Sequence, residues 1–456
     1  MQSTSLEKKR LHKKGFYKGS TLAIAAFSSA FYSRIVCSVT RLPSLLNHLH
    51  FAIVPFTTLA ILTTARSKDS KQISIAWMLL CGLLILLGVM TASALINNAG
   101  IINIIFDFLI LAEPFMLLMA IVCVPMSTES FQRFRNWTIY SAYANMALAF
   151  IQWPLLKFHK ISAGGLDQTD GMAGVFFVSG AGNYVSTTVS IYFAIYYLMF
   201  ARSAPLWLRV GTLCGAIFQL QLSDSKQVLF ALLGGWALLI ILTIKDFTKT
   251  LISISLIIIF SIFFYWCVQN IEAFAAFKNY LDKDGIFAPN GEAARIKLVA
   301  FNLIPTFYHS PLNWLLGLGP GHTAGRLGGW LLKENWAILG PLGATMHPAS
   351  QAMLDAYYGS WLAMESTMFC PMFGWAGIWG DLGLAGLCAY LLLGVIVWRY
   401  VCVDNFCRFL LLSVACFGLI FTQMEEPGFM FYCANAIGLR WHENRNRVLT
   451  QQGMSH

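Results

Sequence analysis

Four polar, glycine-rich stretches interrupt an otherwise apolar chain, and each holds residues that could do chemistry. The first runs from Asp167 through Asp170-Gly171 to Gly182-Asn183. Its glycines allow a tight loop whose backbone can approach a ligand, and Asn183 is placed to cap the helix that follows. A turn-rich approach to an apolar helix would look the same, so both readings stand. The second is Ser223-Asp224-Ser225-Lys226-Gln227. A cation at a helix start can meet an anionic head group while Asp224 and the serines hold it, or it can act as an interfacial anchor. The third is Arg295 followed by the run Gly317-Leu318-Gly319-Pro320-Gly321-His322-Thr323-Ala324-Gly325-Arg326. Such backbone can form a nest of N–H groups for phosphate oxygens, and arginine grips those oxygens through two donors at once. The Gly-Lys-Ser/Thr ending of a nucleotide P-loop is absent. The fourth runs from Ser366 through Trp379-Gly380-Asp381 to Gly386. Asp381 beside an apolar run is costly unless paired, with Arg295, Arg326 or Lys226 as candidate partners. The small residues around it also suit close helix packing.

Other candidates are isolated. His309, His322 and His347 fall in one long segment, where each could act as a base near neutral pH. His48 and His50, two apart, do not share a helical face, and no cluster of metal-binding spacing accompanies them, so no metal is expected. Glu365, Glu425 and Glu426 are carboxylates without a decisive partner. Of eleven cysteines only Cys370 lies away from the apolar runs, which argues against a disulfide framework.

The elements that must position these residues are legible from composition. Apolar side chains make up 57% of the 456 residues and charged ones 11%, too little polar surface for a soluble globule of this size. Crossing a bilayer takes about 20 apolar residues. Runs near that length fall at 19–36, 43–65, 73–96, 101–125, 137–155, 183–201, 208–222, 227–244, 250–268, 376–398, 406–423 and 426–439. The expectation is therefore an all-α polytopic membrane protein of about twelve spans, the last two of which are short for full crossings. Lysines and arginines favour the cytoplasmic side. Lys8, Lys9, Arg10, Lys13, Lys14 and Lys18, then Arg66, Lys68 and Lys71, then Arg133 and Arg135, and later Lys245, Lys249 and Arg440 alternate with segments poor in basic residues. This predicts a cytoplasmic basic segment 1–18, nine helices over 19–268, an extracytoplasmic loop over 269–375 and three helices over 376–439. A cytoplasmic end at 440–456 follows. Within the loop, Ile271–Lys283 and Glu292–Tyr308 have helical apolar spacing. The basic residues form no continuous stripe, so the net charge of +10 does not indicate nucleic acid.

In this order the stretches Gly171–Asn183, Ser223–Lys226, Arg295 to Gly321 and Asp381–Gly386 resemble the bacterial O-antigen polymerase and O-antigen ligase superfamily, over roughly residues 165–390. The resemblance implies an inner-membrane glycosyltransferase, without metal or other cofactor. It would pass a glycan from polyprenyl pyrophosphate to a lipid-linked repeat unit at the outer face. Chain-length regulators and flippases would be its candidate protein partners. Lys226, Arg295, Arg326, Gly319 and Gly321 would then hold pyrophosphate, Asp170, Asn183, Asp224 and His347 would contact substrate, and Arg295, His322 and Asp381 would serve catalysis. Lys226 stands where the family has arginine and Asp381 where glutamate is frequent. Phe369–Gly374 replaces the histidine-asparagine pair that usually precedes this element, so His322 or His347 becomes the substitute base. A ligase joining polymer to a lipid acceptor, or a transporter of lipid-linked glycans, are the alternatives.

Overall fold

The computed structural model describes residues 19–64, 69–164, 166, 168–243, 247–271, 286–288 and 291–453. The basic segment 1–18, Arg66, Lys68, Asp167, Lys245 and most of the expected helix Ile271–Lys283 lie outside the described residues. Among those described the chain is helical and has no strand, only one isolated bridge between Ala163 and Leu166.

Each apolar run folds as a helix or a bent pair. In chain order these are α1 (Gly19–Phe31), α2 (Ser33–Thr40), α3 (His50–Thr64), α4 (Ser70–Asn97), α5 (Ile101–Cys123) and α6 (Thr128–Lys157). They continue as α7 (Gly182–Phe200), α8 (Leu206–Leu222), α9 (Lys226–Thr243), α10 (Phe247–Asn270), α11 (Gly374–Ile396), α12 (Asn405–Phe417) and α13 (Pro427–Gly453). Among the described residues five helical stretches are long and apolar enough to cross a membrane: Ser44–Thr64, α4, α5, α9 and Thr367–Val401. A sixth counts if α1 and α2, bent by 59°, form one broken span. The protein is thus a helical protein with membrane-crossing segments.

Local chemistry sets the boundaries. Asp69 caps α4 by accepting from Lys71 N–H at 2.9 Å. At the far end Asn98 takes a left-handed conformation, φ +53°, which turns the chain back into α5. Asp404 caps α12 through Cys407 N–H at 3.0 Å and also binds Arg440 of α13 at 2.7 Å, tying the last two helices together. The expected helix Glu292–Tyr308 forms as three pieces, Glu292–Lys297, Val299–Leu303 and a 3-10 turn Ile304–Phe307. Pro305, with no N–H to donate, ends the regular helix there.

Helix α5 lies among α3, α4 and α13, while α4 flanks α11, α9 packs on α12, and α7 on α8. The long loop between α10 and α11 folds back onto this bundle. Its Ala300, Ile304, Leu318 and Met353 share an apolar core with Phe373 and Trp379 at the start of α11. That contact places the loop's polar residues against the bundle.

Candidate functional site

The glycine run folds around Asp381 instead of presenting an open nest. Helix α11 is broken at Gly383, φ +63°, so the carbonyls of Gly380 and Asp381 are free to accept from outside the helix. Leu318 N–H donates to the first at 2.8 Å and Gly319 N–H to the second at 3.0 Å. The Asp381 carboxylate then accepts from Gly321 N–H at 2.9 Å, His322 N–H at 3.1 Å and the Thr323 hydroxyl at 2.6 Å. The donors expected to bind phosphate are therefore spent inside the protein, Gly319 N–H on the Asp381 carbonyl and Gly321 N–H on the Asp381 carboxylate. Asp381 is answered by backbone and a hydroxyl, and not by Arg295, Arg326 or Lys226. Asn97, Asn103 and Asn313 hold the loop from outside: Asn97 and Asn313 donate to Gly317 O at 3.1 and 2.8 Å, and Asn103 donates to Pro320 O at 2.9 Å.

His322 is committed to the same loop. Its Nδ1–H donates to Leu318 O at 2.8 Å, which leaves Nε2 to accept from the Thr345 hydroxyl at 2.8 Å. Burial lowers its pKa to about 4, so the ring is neutral and fully hydrogen-bonded rather than a free base. His347 stacks on it at 5.3 Å and caps the helix Pro348–Tyr358 by accepting from Ala349 N–H at 3.1 Å.

The first two polar stretches do meet. Asn183 does not cap α7, which starts one residue earlier. Its amide instead donates to Asp170 at 2.9 Å and to Ser223 O at 3.2 Å. Thr187, Ser223 and Ser225 share hydroxyl hydrogen bonds of 2.9 Å beside it. Lys226 opens α9 and pairs with Asp224, while Gln227 reaches Thr367 of the fourth stretch at 2.7 Å.

Arg326 is drawn into a buried charged group that sequence reading did not assemble. Its N–H donates to Glu425 Oε2 at 2.5 Å, and its guanidinium binds Glu425 O at 3.2 Å and the Glu426 carboxylate. Arg34 lies within electrostatic reach of Arg326 and Glu426. His50 Nδ1 meets Glu113 Oε2 at 2.7 Å, both side chains almost fully buried. The break between a 3-10 turn ending at His48 and α3 starting at His50 lets both histidines face one small void with Glu113, Arg326 and Glu425. The two adjacent glutamates differ. Burial raises the Glu425 pKa to about 8, and the nearby Asp381 charge adds to this. Glu426 is instead bound by the Arg326 guanidinium, with Arg34 within electrostatic reach.

This void adjoins an apolar hollow of about 340 Å³ through shared walls at His48, Phe51 and Leu331. The hollow is lined by Leu45, Leu49, Phe106, Ile338 and Leu339, and it opens at the surface, where Leu45, Leu49 and Ile338 are exposed. A larger hollow of about 400 Å³, bounded by Pro114, Phe115, Trp375 and Tyr390, has no charged residue in its wall among the described residues.

Arg295 lies apart from this group. Its side chain is 74% exposed and pairs with Glu292, with Nε 3.0 Å from the carboxylate. The inward cation of that short helix is Lys297, whose ammonium donates to Cys370 O at 2.9 Å and Ile420 O at 2.6 Å and lies 4.5 Å from the Phe373 ring. Burial lowers its pKa to about 8. Sequence reading missed Lys297, Asp107, Glu113 and the role of Glu425. The signal for two of them was present, since Asp107 and Glu113 sit inside an apolar run. Neither a family model nor a curated protein sequence matches this chain, so its function must be argued from these side chains.

Proposed function

We propose that this protein is a membrane polysaccharide polymerase, transferring a glycan from polyprenyl pyrophosphate to a lipid-linked repeat unit. In this reading the chain makes about twelve crossings, both ends are cytoplasmic, and the loop between α10 and α11 faces outward. The alternation of basic and base-poor segments supports that orientation. The observation that carries the proposal is Arg326, 15% exposed, in the wall of a charged void that shares His48, Phe51 and Leu331 with a surface-open apolar hollow. The apolar wall of the hollow suits part of an isoprenoid tail, and its diphosphate would then lie toward a guanidinium able to bind two oxygens. Pyrophosphate leaves readily once its charge is met, so cations suffice without a metal. Arg326 takes the role that the resemblance gave to Arg295 and Lys226. The group around Asp170, Asn183 and Lys226 offers polar contacts for the sugars.

The buried His50–Glu113 pair supports a second reading, transport of the lipid-linked glycan, because ionisable residues inside apolar helices often mark translocation paths. Glycan chain length in cells separates the two. Arg326→Ala is expected to leave single repeat units on lipid at the outer face, while Arg295→Ala gives normal polymers. Repeat units retained at the inner face would favour transport, and full-length polymers from Arg326→Ala would refute the polymerase assignment.

A further inference from the structure

We propose that Glu425 accepts the proton released in glycosyl transfer, and that the Glu113–His50 pair, facing it across a void that fits one water, carries the proton onward. The assignment rests on the transferase reading above. Glu425 commits Oε2 to Arg326 N–H, while among the described residues its Oε1 has no hydrogen-bond partner although the side chain is 4% exposed. Glu113 repeats the arrangement: Oε2 meets His50, and Oε1 has no partner among the described residues, at 1% exposure. Carboxylate oxygens so deeply buried are costly unless something answers them. Both residues line the same void of about 10 Å³. A space of that size holds a single water, which needs two to four polar partners, and the two bare oxygens supply two.

The surroundings select Glu425 over its neighbour. Glu426 is bound to the Arg326 guanidinium and lies within reach of Arg34, which keeps it an anion. Glu425 is the carboxyl pushed upward, so the pair is split into a fixed anion and a group able to take a proton near neutral pH. The void itself is faced by His48 from the 3-10 turn before α3, His50 from the start of α3, Glu113 from α5, and Arg326 from the loop. Asp107, Asp381 and Tyr390 stand within electrostatic reach of Glu425, and Glu334 within reach of Arg34. In the step, the acceptor hydroxyl oxygen uses a lone pair to bond the anomeric carbon. The anomeric C–O bond breaks, pyrophosphate departs with its electron pair toward Arg326, and the hydroxyl proton passes to Glu425 Oε1. From there it crosses the water to Glu113 Oε1.

The test uses the full-length protein in proteoliposomes supplied with polyprenyl-linked lipid extracted from the producing cells, with farnesyl pyrophosphate as a separate binding probe. Glu425→Gln preserves an acceptor for Arg326 N–H. It is expected to cut transfer by about 10²- to 10⁴-fold, with farnesyl pyrophosphate still bound. Wild-type transfer should climb as pH rises through about 8, and Glu113→Gln should flatten that climb. An active wild type with an equally active Glu425→Gln overturns the assignment alone, as does loss of probe binding in Glu425→Gln, which would make the residue a structural prop. A Glu113→Gln variant with the wild-type pH profile overturns the onward relay. A wild type that binds the probe but transfers nothing overturns the transferase reading and this assignment with it.

Discussion

Removing Asp381 would leave two backbone N–H groups and a hydroxyl buried with nothing to accept them, because the loop from Gly317 to Thr323 is built around that one carboxylate. Each orphaned donor costs about 1–3 kcal/mol. Asp381→Ala is therefore expected to destabilise the purified protein by at least about 3 kcal/mol, read as a lower melting temperature, and Asp381→Asn by less. His322 adds a pH dependence. Its pKa falls from 6.5 to about 4 on folding. Between those values the unfolded chain holds a proton that the folded chain lacks, so the stability is present above about 6.5 and is lost as pH falls toward 4. Melting temperature should drop across that window, and His322→Gln should shrink the drop. At this scale the sequence made the cost of Asp381 readable but not its partners. Its carboxylate is met by backbone sixty residues away in the chain, whereas charge pairing alone suggests a cation. The same limit hid the meeting of Arg326 with Glu425 and Glu426, about a hundred residues apart.

Among the elements, α11 shows why its small residues are needed. A Cβ at Gly383 would lie 2.4 Å from the Leu315 backbone, and one at Gly377 would lie 2.5 Å from Gly325 Cα. The first position also has φ +63°, a conformation that costs other residues about 1–3 kcal/mol. Gly383→Ala should lower stability by that strain plus the clash, and protease sensitivity of the Gly317–Arg326 loop should rise. Of the two readings the sequence left open for this stretch, packing is the one seen in the contacts: the glycines admit the loop, and the loop ends at Arg326. Helix boundaries were readable where a cap or a proline fixes them, as at Asp69 and Pro305. Which face of the short helix Glu292–Lys297 turns inward was not. Arg295 and Lys297 are two residues apart, and only packing against Cys370 and Ile420 decides that Lys297 is the buried cation.

Over the whole molecule, apolar run length forecast the helices well because a helix in lipid must satisfy its backbone internally, whatever its neighbours. It could not forecast which helices touch. The void between His48, His50, Glu113, Arg326 and Glu425 draws on the 3-10 turn before α3, α3 itself, α5, the long loop and the segment before α13, elements whose adjacency no local pattern records. Among the described residues the larger apolar hollow near Tyr390 has no charged wall, and the smaller one borders the void lined by Arg326, so the two make different predictions for where a lipid diphosphate lies. Photolabelling separates them most directly. A farnesyl pyrophosphate carrying a photoreactive group on its tail, activated with the protein in nanodiscs, should label peptides covering Leu45–Ala52 and Leu331–Leu339, and Arg326→Ala should abolish the labelling. Label confined to peptides around Phe115 and Tyr390, undiminished by Arg326→Ala, would contradict the account.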